Sequence, residues 1–133
     1  MEAIVDRQHV LRWVDRYEQA WRTAGTAGLR ELFTEDATYR MSPYEEPIAG
    51  LSAIAELWER ERAGADEVFT TASEVIAVEG DTAVVRVEVW YGDPVSREYR
   101  DLWVIRFHRD GRCMAFEEWP FWPERGHTPA GAP

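Results

Sequence analysis

LFTEDATYRMSPYEEPIAGLSAIAELW, residues Leu32 to Trp58, runs through a helix end, a short strand, a proline-bracketed loop and the start of a new helix. The first helix of the stretch closes at Leu32 and Phe33, and Ala37 to Met41 reads as a strand. Pro43 and Pro47 hold the next segment extended, because each proline fixes its own φ and restricts the residue before it. Gly50 then releases the chain into a helix. From Ser52 onward, Ile54, Leu57 and Trp58 recur at helical spacing, so one face can lie on a sheet while Glu56, Glu59, Arg60 and Glu61 face water.

Upstream, Val5 to Thr23 carries Val10, Trp13, Val14, Tyr17 and Trp21 in the spacing of a helix with one buried face. Gly25 and Gly28 bracket a break before a short second helix, Leu29 to Phe33, and the third helix runs from Ser52 to about Arg62, ending near Gly64. Strands follow. Phe69 to Val78 turns through Glu79-Gly80-Asp81 into Thr82 to Tyr91, then Gly92-Asp93-Pro94 leads into Arg97 to His108. Arg109-Asp110-Gly111 leads into Arg112 to Phe121. Three turns at this spacing imply an antiparallel meander. Residues 123–133 have the composition of a frayed tail, leaving residues 1–122 as one domain.

The 133 residues suffice for a single domain that hides about two-thirds of its unfolded surface, enough for a core and one cavity. A formal net charge of −10 argues against a nucleic-acid partner, since such binding rests on Lys and Arg neutralising phosphates. All 15 basic residues are Arg; with no Lys in the chain, a Schiff base and a phosphate-loop lysine are excluded. Asn is absent as well. Cys113 is the one cysteine and reads as a small strand residue, so no internal disulfide forms. The amino-terminal MEAIVDRQHVLRWV is too broken by charge to be a signal core, and no run approaches a membrane span; a cytoplasmic protein with no membrane partner is expected. His9, His108 and His127 are scattered without metal-ligand spacing and read as surface residues. Serine-elbow and dinucleotide motifs are also lacking, so no metal and no cofactor are implied.

Helices gathered early and an antiparallel sheet gathered late make an α+β domain, in which a curved sheet covers its apolar face with those helices. Arg16-Tyr17, LFTEDATY at Leu32 to Tyr39, PIAGLSAIAELW at Pro47 to Trp58, and DGRCMAFEEW at Asp110 to Trp119 resemble the nuclear transport factor 2-like superfamily. That group includes SnoaL-like (polyketide-cyclase-like) proteins, steroid isomerases and limonene-type epoxide hydrolases. The resemblance spans Val10 to Phe121. It implies a cone-shaped domain, three amino-terminal helices packed on a strongly curved, mainly antiparallel sheet enclosing a pocket. Fold likeness carries no reaction with it, because the superfamily hosts unrelated chemistries on one cone.

Function must come from what lines the cone. In Thr82 to Tyr91, one face carries Ala83, Val85, Val87, Val89 and Tyr91, and the other carries Val84, Arg86, Glu88 and Trp90. Ordinary exposure sends Arg86 and Glu88 to solvent. The resemblance implies the reverse, since an Arg-x-Asp pair points into the cavity of the epoxide hydrolases at the place held here by Arg86-Val87-Glu88. The valine row would then lie on the convex side under the cover of a second subunit. In the next strand, Tyr99, Asp101, Trp103, Ile105 and Phe107 share a face, the pattern of an apolar wall with one carboxylate. A cavity-facing Asp101 implies a partner or a raised pKa. Glu117 and Glu118 face opposite sides, and the resemblance places Glu118 inside with Met114 and Phe116. Tyr17, Tyr39, Met41 and Trp58 complete the expected lining, and Trp119, Phe121 and Trp122 read as packing or interface residues.

Similarity to the steroid isomerases retains a phenol donor at Tyr17, but the positions of the general base and the protonated carboxyl fall on Met41 and Trp103. Similarity to the epoxide hydrolases implies that Glu118 deprotonates a water held by Tyr39, Arg86 holds the carboxylates apart in pKa, and protonated Glu88 donates to the opening oxygen. Met41 replaces an asparagine that also holds the water there. Each Asp-to-Glu exchange adds a methylene, a shift of about 1 Å that can cost on the order of 10²-fold. Two readings follow. The first is a cofactor-independent acid/base enzyme, a hydrolase, lyase or isomerase catalysing epoxide hydrolysis, cyclisation, dehydration or isomerisation on a small apolar substrate. Its catalytic set would be Glu118, Asp101, Arg86, Glu88 and Tyr39, with Tyr17, Met41, Trp58, Trp103 and Phe116 holding the substrate. The second is a non-catalytic domain that binds a small apolar or amphipathic ligand, or a dimeric accessory domain, with a homodimer expected through the convex face of the sheet.

Overall fold

The structure, a computed structural model, describes residues 5–62 and 68–125. Helix α1 spans Arg7–Arg22; Asp6 caps it by accepting the backbone N–H of His9 at 2.8 Å. Val10, Trp13, Val14 and Tyr17 form its buried stripe. Its carboxyl end is closed by a side chain from far along the chain: the Arg62 guanidinium donates to the carbonyls of Ala20, Thr23 and Gly25. The Ala20 carbonyl also accepts the capping N–H of Thr23, and the cation sits at the carboxyl end of the helix, where the dipole favours positive charge.

The opening stretch contains more strand than its sequence suggests. Helix α2 is a single turn, Leu29–Leu32, and β1 begins at once, running Phe33–Arg40. Inside the proline-bracketed loop a second, two-residue strand β2, Ile48–Ala49, pairs antiparallel with β1. Gly50 enters helix α3, Leu51–Glu61, at φ 94°, a left-handed conformation that a β-carbon makes costly. Strands β3 (Phe69–Glu79), β4 (Thr82–Tyr91), β5 (Arg97–Phe107) and β6 (Cys113–Phe121) form the expected meander. The sheet order is β2-β1-β6-β5-β4-β3, with β1 against β6 as the parallel pair. A carboxyl-terminal turn, Pro123–Arg125, follows; residues 126–133, most of the expected tail, lie outside the described residues. Among the described residues no helix is long and apolar enough to cross a membrane.

The sheet curls around α1, and its inner face has a closed end and an open end. At the closed end Trp13 meets the rings of Phe33, Phe107 and Phe116 edge-on or tilted at 5.7 to 5.9 Å, and its indole N–H donates to the Leu32 carbonyl at 2.9 Å. Ala83, Val85, Ile105 and Cys113 are fully buried around this cluster. Burial also pushes the Cys113 thiol well above its usual pKa, so it is an inert packing group. His9, expected on the surface, fastens α1 to the β5–β6 turn, its ring edge-on to Phe107 and its Nε2 2.8 Å from the Gly111 carbonyl. His127 lies outside the described residues.

Strand β4 corrects the expectation drawn from the resemblance. Val85 and Val87 point into the core, while Arg86 and Glu88 stand on the convex side. Burying a valine side chain gains about 1.5–3 kcal/mol, whereas Arg and Glu on the inner face would have to give up water. Outside, each has a partner directly across the ladder. Arg86 lies opposite Glu74 and is 3.1 Å from it; Glu88 lies opposite Arg100 at 3.4 Å. The argument for a dimer from an exposed valine row therefore lapses.

Candidate functional site

Past the Trp13 cluster the cone opens into a cavity of about 430 Å³, in the size range of small-molecule sites, roughly 300–1,000 Å³. Val87, Val89 and Tyr91 of β4 and Tyr99, Asp101 and Trp103 of β5 form one wall. Tyr17 and Trp21 of α1 and Leu57 and Trp58 of α3 cover it, with Tyr39 and Met41 beside them. Alternation explains this: the residues that line the cavity continue the same inward faces that build the closed core two or four positions away.

Two carboxyl groups meet in this apolar chamber. Trp103 lies opposite Glu118 in the β5–β6 ladder and Asp101 opposite Pro120, so Asp101 and Glu118 are diagonal neighbours on the inner face, with β-carbons roughly 7 Å apart. Asp101 is buried, and Glu118 keeps accessible surface where it borders the cavity. Burial raises both pKa values. The proximity of the two groups then divides them, raising Glu118 and lowering Asp101, while Glu61 raises Glu118 further. The Trp103 indole lowers both. The two carboxyls therefore titrate as a pair, and both are held above the usual carboxylate range chiefly by burial.

The Tyr17 and Tyr39 hydroxyls hydrogen-bond to each other at 2.7 Å. Both phenols are raised well above their usual pKa, chiefly by burial, and the two carboxyls add to this. They are neutral donors at any ordinary pH. One hydroxyl hydrogen of the pair remains free, since only one can be spent on the other. Among the described residues, Asp101 Oδ1 and the indole nitrogens of Trp58 and Trp103 are buried without a hydrogen bond of good geometry, although the Trp103 indole lies close enough to both carboxyls, and the Trp58 indole to the Tyr39 hydroxyl, to favour their ionised forms. Orphaned polar groups of this kind cost stability and suit a site that satisfies them with a ligand.

Of the expected site residues, the fold brings together Glu118, Asp101, Tyr39, Tyr17, Met41, Trp58 and Trp103 at the cavity. Phe116 sits one layer below, its ring 4.7 to 5.5 Å from Tyr39, Trp103 and Tyr17, and acts as their floor rather than as a contact surface. Arg86 and Glu88 do not enter the cavity, so the arrangement of one arginine between two glutamates implied by the epoxide-hydrolase resemblance is not built here. Several cavity residues were not anticipated, among them Val87 and Val89, expected on the convex side, and Glu18, Thr71 and Ser73. Glu61, expected to face water, is exposed yet borders the cavity at the end of α3; Trp122 and Arg97 border it as well. Arg97 was legible, because it continues the alternation of Asp101 and Tyr99. Among the described residues no cluster of His, Cys, Asp and Glu could hold a metal ion.

A profile of the SnoaL-like domain matches residues 14–116, most of the chain. The chain belongs to the SnoaL-like domain family. The matched region runs from the middle of α1 into β6, includes Asp101, and stops just short of Glu118. Among solved structures, this SnoaL-like domain is similar to the epoxide hydrolase/cyclase-like enzyme SalBIII, described for its role in pyran ring formation in the polyether salinomycin. The TM-score is 0.69 at 16% identity, over 86% of this chain and 92% of that one. It is also similar to a nuclear transport factor 2-like protein from Anabaena variabilis, with a TM-score of 0.67 at 13% identity, over 89% and 90% of the two chains. Likeness at this identity establishes the cone fold. No curated protein matches the sequence.

Proposed function

We propose that this SnoaL-like domain is an acid/base enzyme in which Asp101 and Glu118 share one proton and rearrange a small, largely apolar substrate. The convergence of the two carboxyls on one apolar cavity carries this reading. In this reading Asp101 is the base and Glu118 the acid, the reverse of the role that the epoxide-hydrolase resemblance gives Glu118.

Ring closure suits the site better than hydrolysis. A water nucleophile has to be held, and here Met41 offers a thioether while Tyr39 is engaged with Tyr17. A hydroxyl on the substrate itself is held by the rest of the molecule, which supplies the orientation that a bound water lacks. In the proposed step Asp101 takes the proton from that hydroxyl as its oxygen attacks an epoxide carbon. The carbon–oxygen bond of the epoxide breaks, and the leaving oxygen takes the proton from Glu118. The product is an isomer of the substrate. The pair ends with its proton on Asp101, and transfer back to Glu118 restores it.

The test is turnover of a panel of apolar hydroxy-epoxides and simple epoxides by wild type, Asp101→Asn and Glu118→Gln, followed by product analysis. Cyclic ethers formed by wild type and lost in both variants support the reading. Equal rates in all three proteins sink it. If the panel binds without turnover in every case, the binding-module reading takes its place.

Homodimerisation through the convex face is proposed separately, on the half-buried row of Val84, Leu102, Val104 and Trp119 that this face presents beside its charged pairs. Light scattering on the purified protein decides it.

A further inference from the structure

Arg97 is the single cation among the described residues that line the cavity. It lies on the inner face of β5 four residues before Asp101, with Tyr99 between them on the same face. Four residues of strand span roughly 13 Å. Asp101 and Glu118 lie nearer the closed end of the cone and Arg97 lies at the open end, next to the exposed turn that joins β4 to β5.

The guanidinium is held in place without being neutralised. Its carbon lies 4.6 Å from the centre of the Tyr91 ring, the residue opposite it in the ladder, and Nη1 is 3.5 Å from the Tyr99 hydroxyl. Among the described residues Arg97 forms no ion pair, whereas other arginines of the same sheet, Arg40, Arg86, Arg100 and Arg106, each stand within 4.0 Å of a carboxylate. Glu18, also at the cavity, is bound by Arg22 and Thr71. A chain with ten more negative than positive charges that keeps one arginine at a pocket mouth without a carboxylate has a cation to spare for a ligand. The planar fork of Arg matches a carboxylate, and stacking on an aromatic ring leaves that fork's edge free.

We infer that Arg97 binds the carboxylate of an amphipathic acid whose apolar body fills the cone and whose distal oxygen function reaches Asp101 and Glu118. The inference rests on the acid/base reading for what happens at the far end, and stands independently of it at the mouth. Val87, Val89 and the Tyr99 ring form the apolar wall between the two polar ends. A neutral substrate of the same length would leave Arg97 without a partner and could enter in either direction; an acid enters in one. Arg97 is therefore a positioning residue that sets which atom of the substrate meets the carboxyl pair.

Titration of tryptophan fluorescence tests this directly, since Trp21, Trp58, Trp103 and Trp122 all border the cavity. Decanoate and decanamide share length and shape and differ in charge. Wild type is expected to bind decanoate about tenfold or more tightly than decanamide, Arg97→Gln to lose that preference, and Arg97→Lys to keep part of it, with the amide's affinity unchanged throughout. Equal affinities in wild type overturn the inference, as does a preference that persists in Arg97→Gln or the binding of neither compound. Glu118→Gln should keep the acid's preference, which separates the two proposals. A lost preference with intact turnover of neutral epoxides removes the anion site alone, and a preference with no turnover of any acid or epoxide removes the acid/base reading alone.

Discussion

The two faces of β4 and β5 are built from the same strands and obey different electrostatics. On the convex side, Arg86 and Glu74 pair at 3.1 Å with both side chains more than half exposed, so water screens each charge and the pair is worth little. On the concave side, Asp101 and Glu118 bring like-charged groups together away from bulk water, and both pKa values are raised. Perturbed carboxyls in a cleft mark the candidate site, and the charges paired across the ladder on the other face do not.

The sharpest way to break this contrast is kinetic. Asp101→Asn and Glu118→Gln should each lower kcat by roughly 10²- to 10⁴-fold, the usual contribution of a general acid or base. Arg86→Gln and Glu88→Gln should leave kcat within about twofold of wild type, as expected for exposed pairs. A large loss in Arg86→Gln would return the epoxide-hydrolase arrangement to consideration.

Stability offers the next contrast. Val85→Asp places an unpaired charge in the closed core and should cost about 3–5 kcal/mol in denaturant unfolding, comparable to a buried ion without its partner. Val84→Asp, one residue away on the convex face, should cost about 1 kcal/mol or less, since surface substitutions have small effects. Similar losses in both variants would mean that the convex face is buried in an assembly.

A smaller effect separates the faces by pH. Both cavity carboxyls titrate above their unfolded values of about 3.9 and 4.3. The folded state thus binds more protons than the unfolded state in that window, and the stabilisation these groups contribute is fully present below the unfolded values and lost as pH rises through the folded ones. Wild type should lose stability from about pH 4 upward relative to Glu118→Gln, in which one of the two no longer titrates. Parallel pH–stability curves for the two proteins would contradict the raised pKa. Least of all, Glu74→Gln should change stability by about 1 kcal/mol or less, an effect diminished further by salt.

Much of the fold was readable because it depends on local rules. The four meander strands end within a residue or two of where their turns place them, and α1 and α3 follow their apolar stripes. The strand β2 was hidden, since two residues between prolines carry no period, and β1 began early because Phe33 to Asp36 lacks alternation. The cavity set was largely legible too, Asp101, Glu118, Tyr17 and Tyr39 among them. The error at Arg86 and Glu88 was avoidable from the sequence. The ends read for the two strands, Tyr91 and Arg97, pair with each other, and counting back along the ladder places Val87 opposite Asp101. Paired residues share a face. An inward Asp101 therefore requires an inward Val87 and an outward Arg86.

By itself the sequence determined the elements, their order and the alternation that sorts each strand into two faces, because these follow from backbone geometry and apolar periodicity over a few residues. It also determined which charged side chains are available, carboxylates and arginines with no lysine. Tertiary structure alone decided which carboxyls meet. The diagonal of Asp101 and Glu118 depends on the register between β5 and β6, the Tyr17–Tyr39 bond on how α1 lies in the curl of the sheet, and the mouth position of Arg97 on which end of the cone stays open. Those are distances between residues far apart in the chain, set by the packing of whole elements.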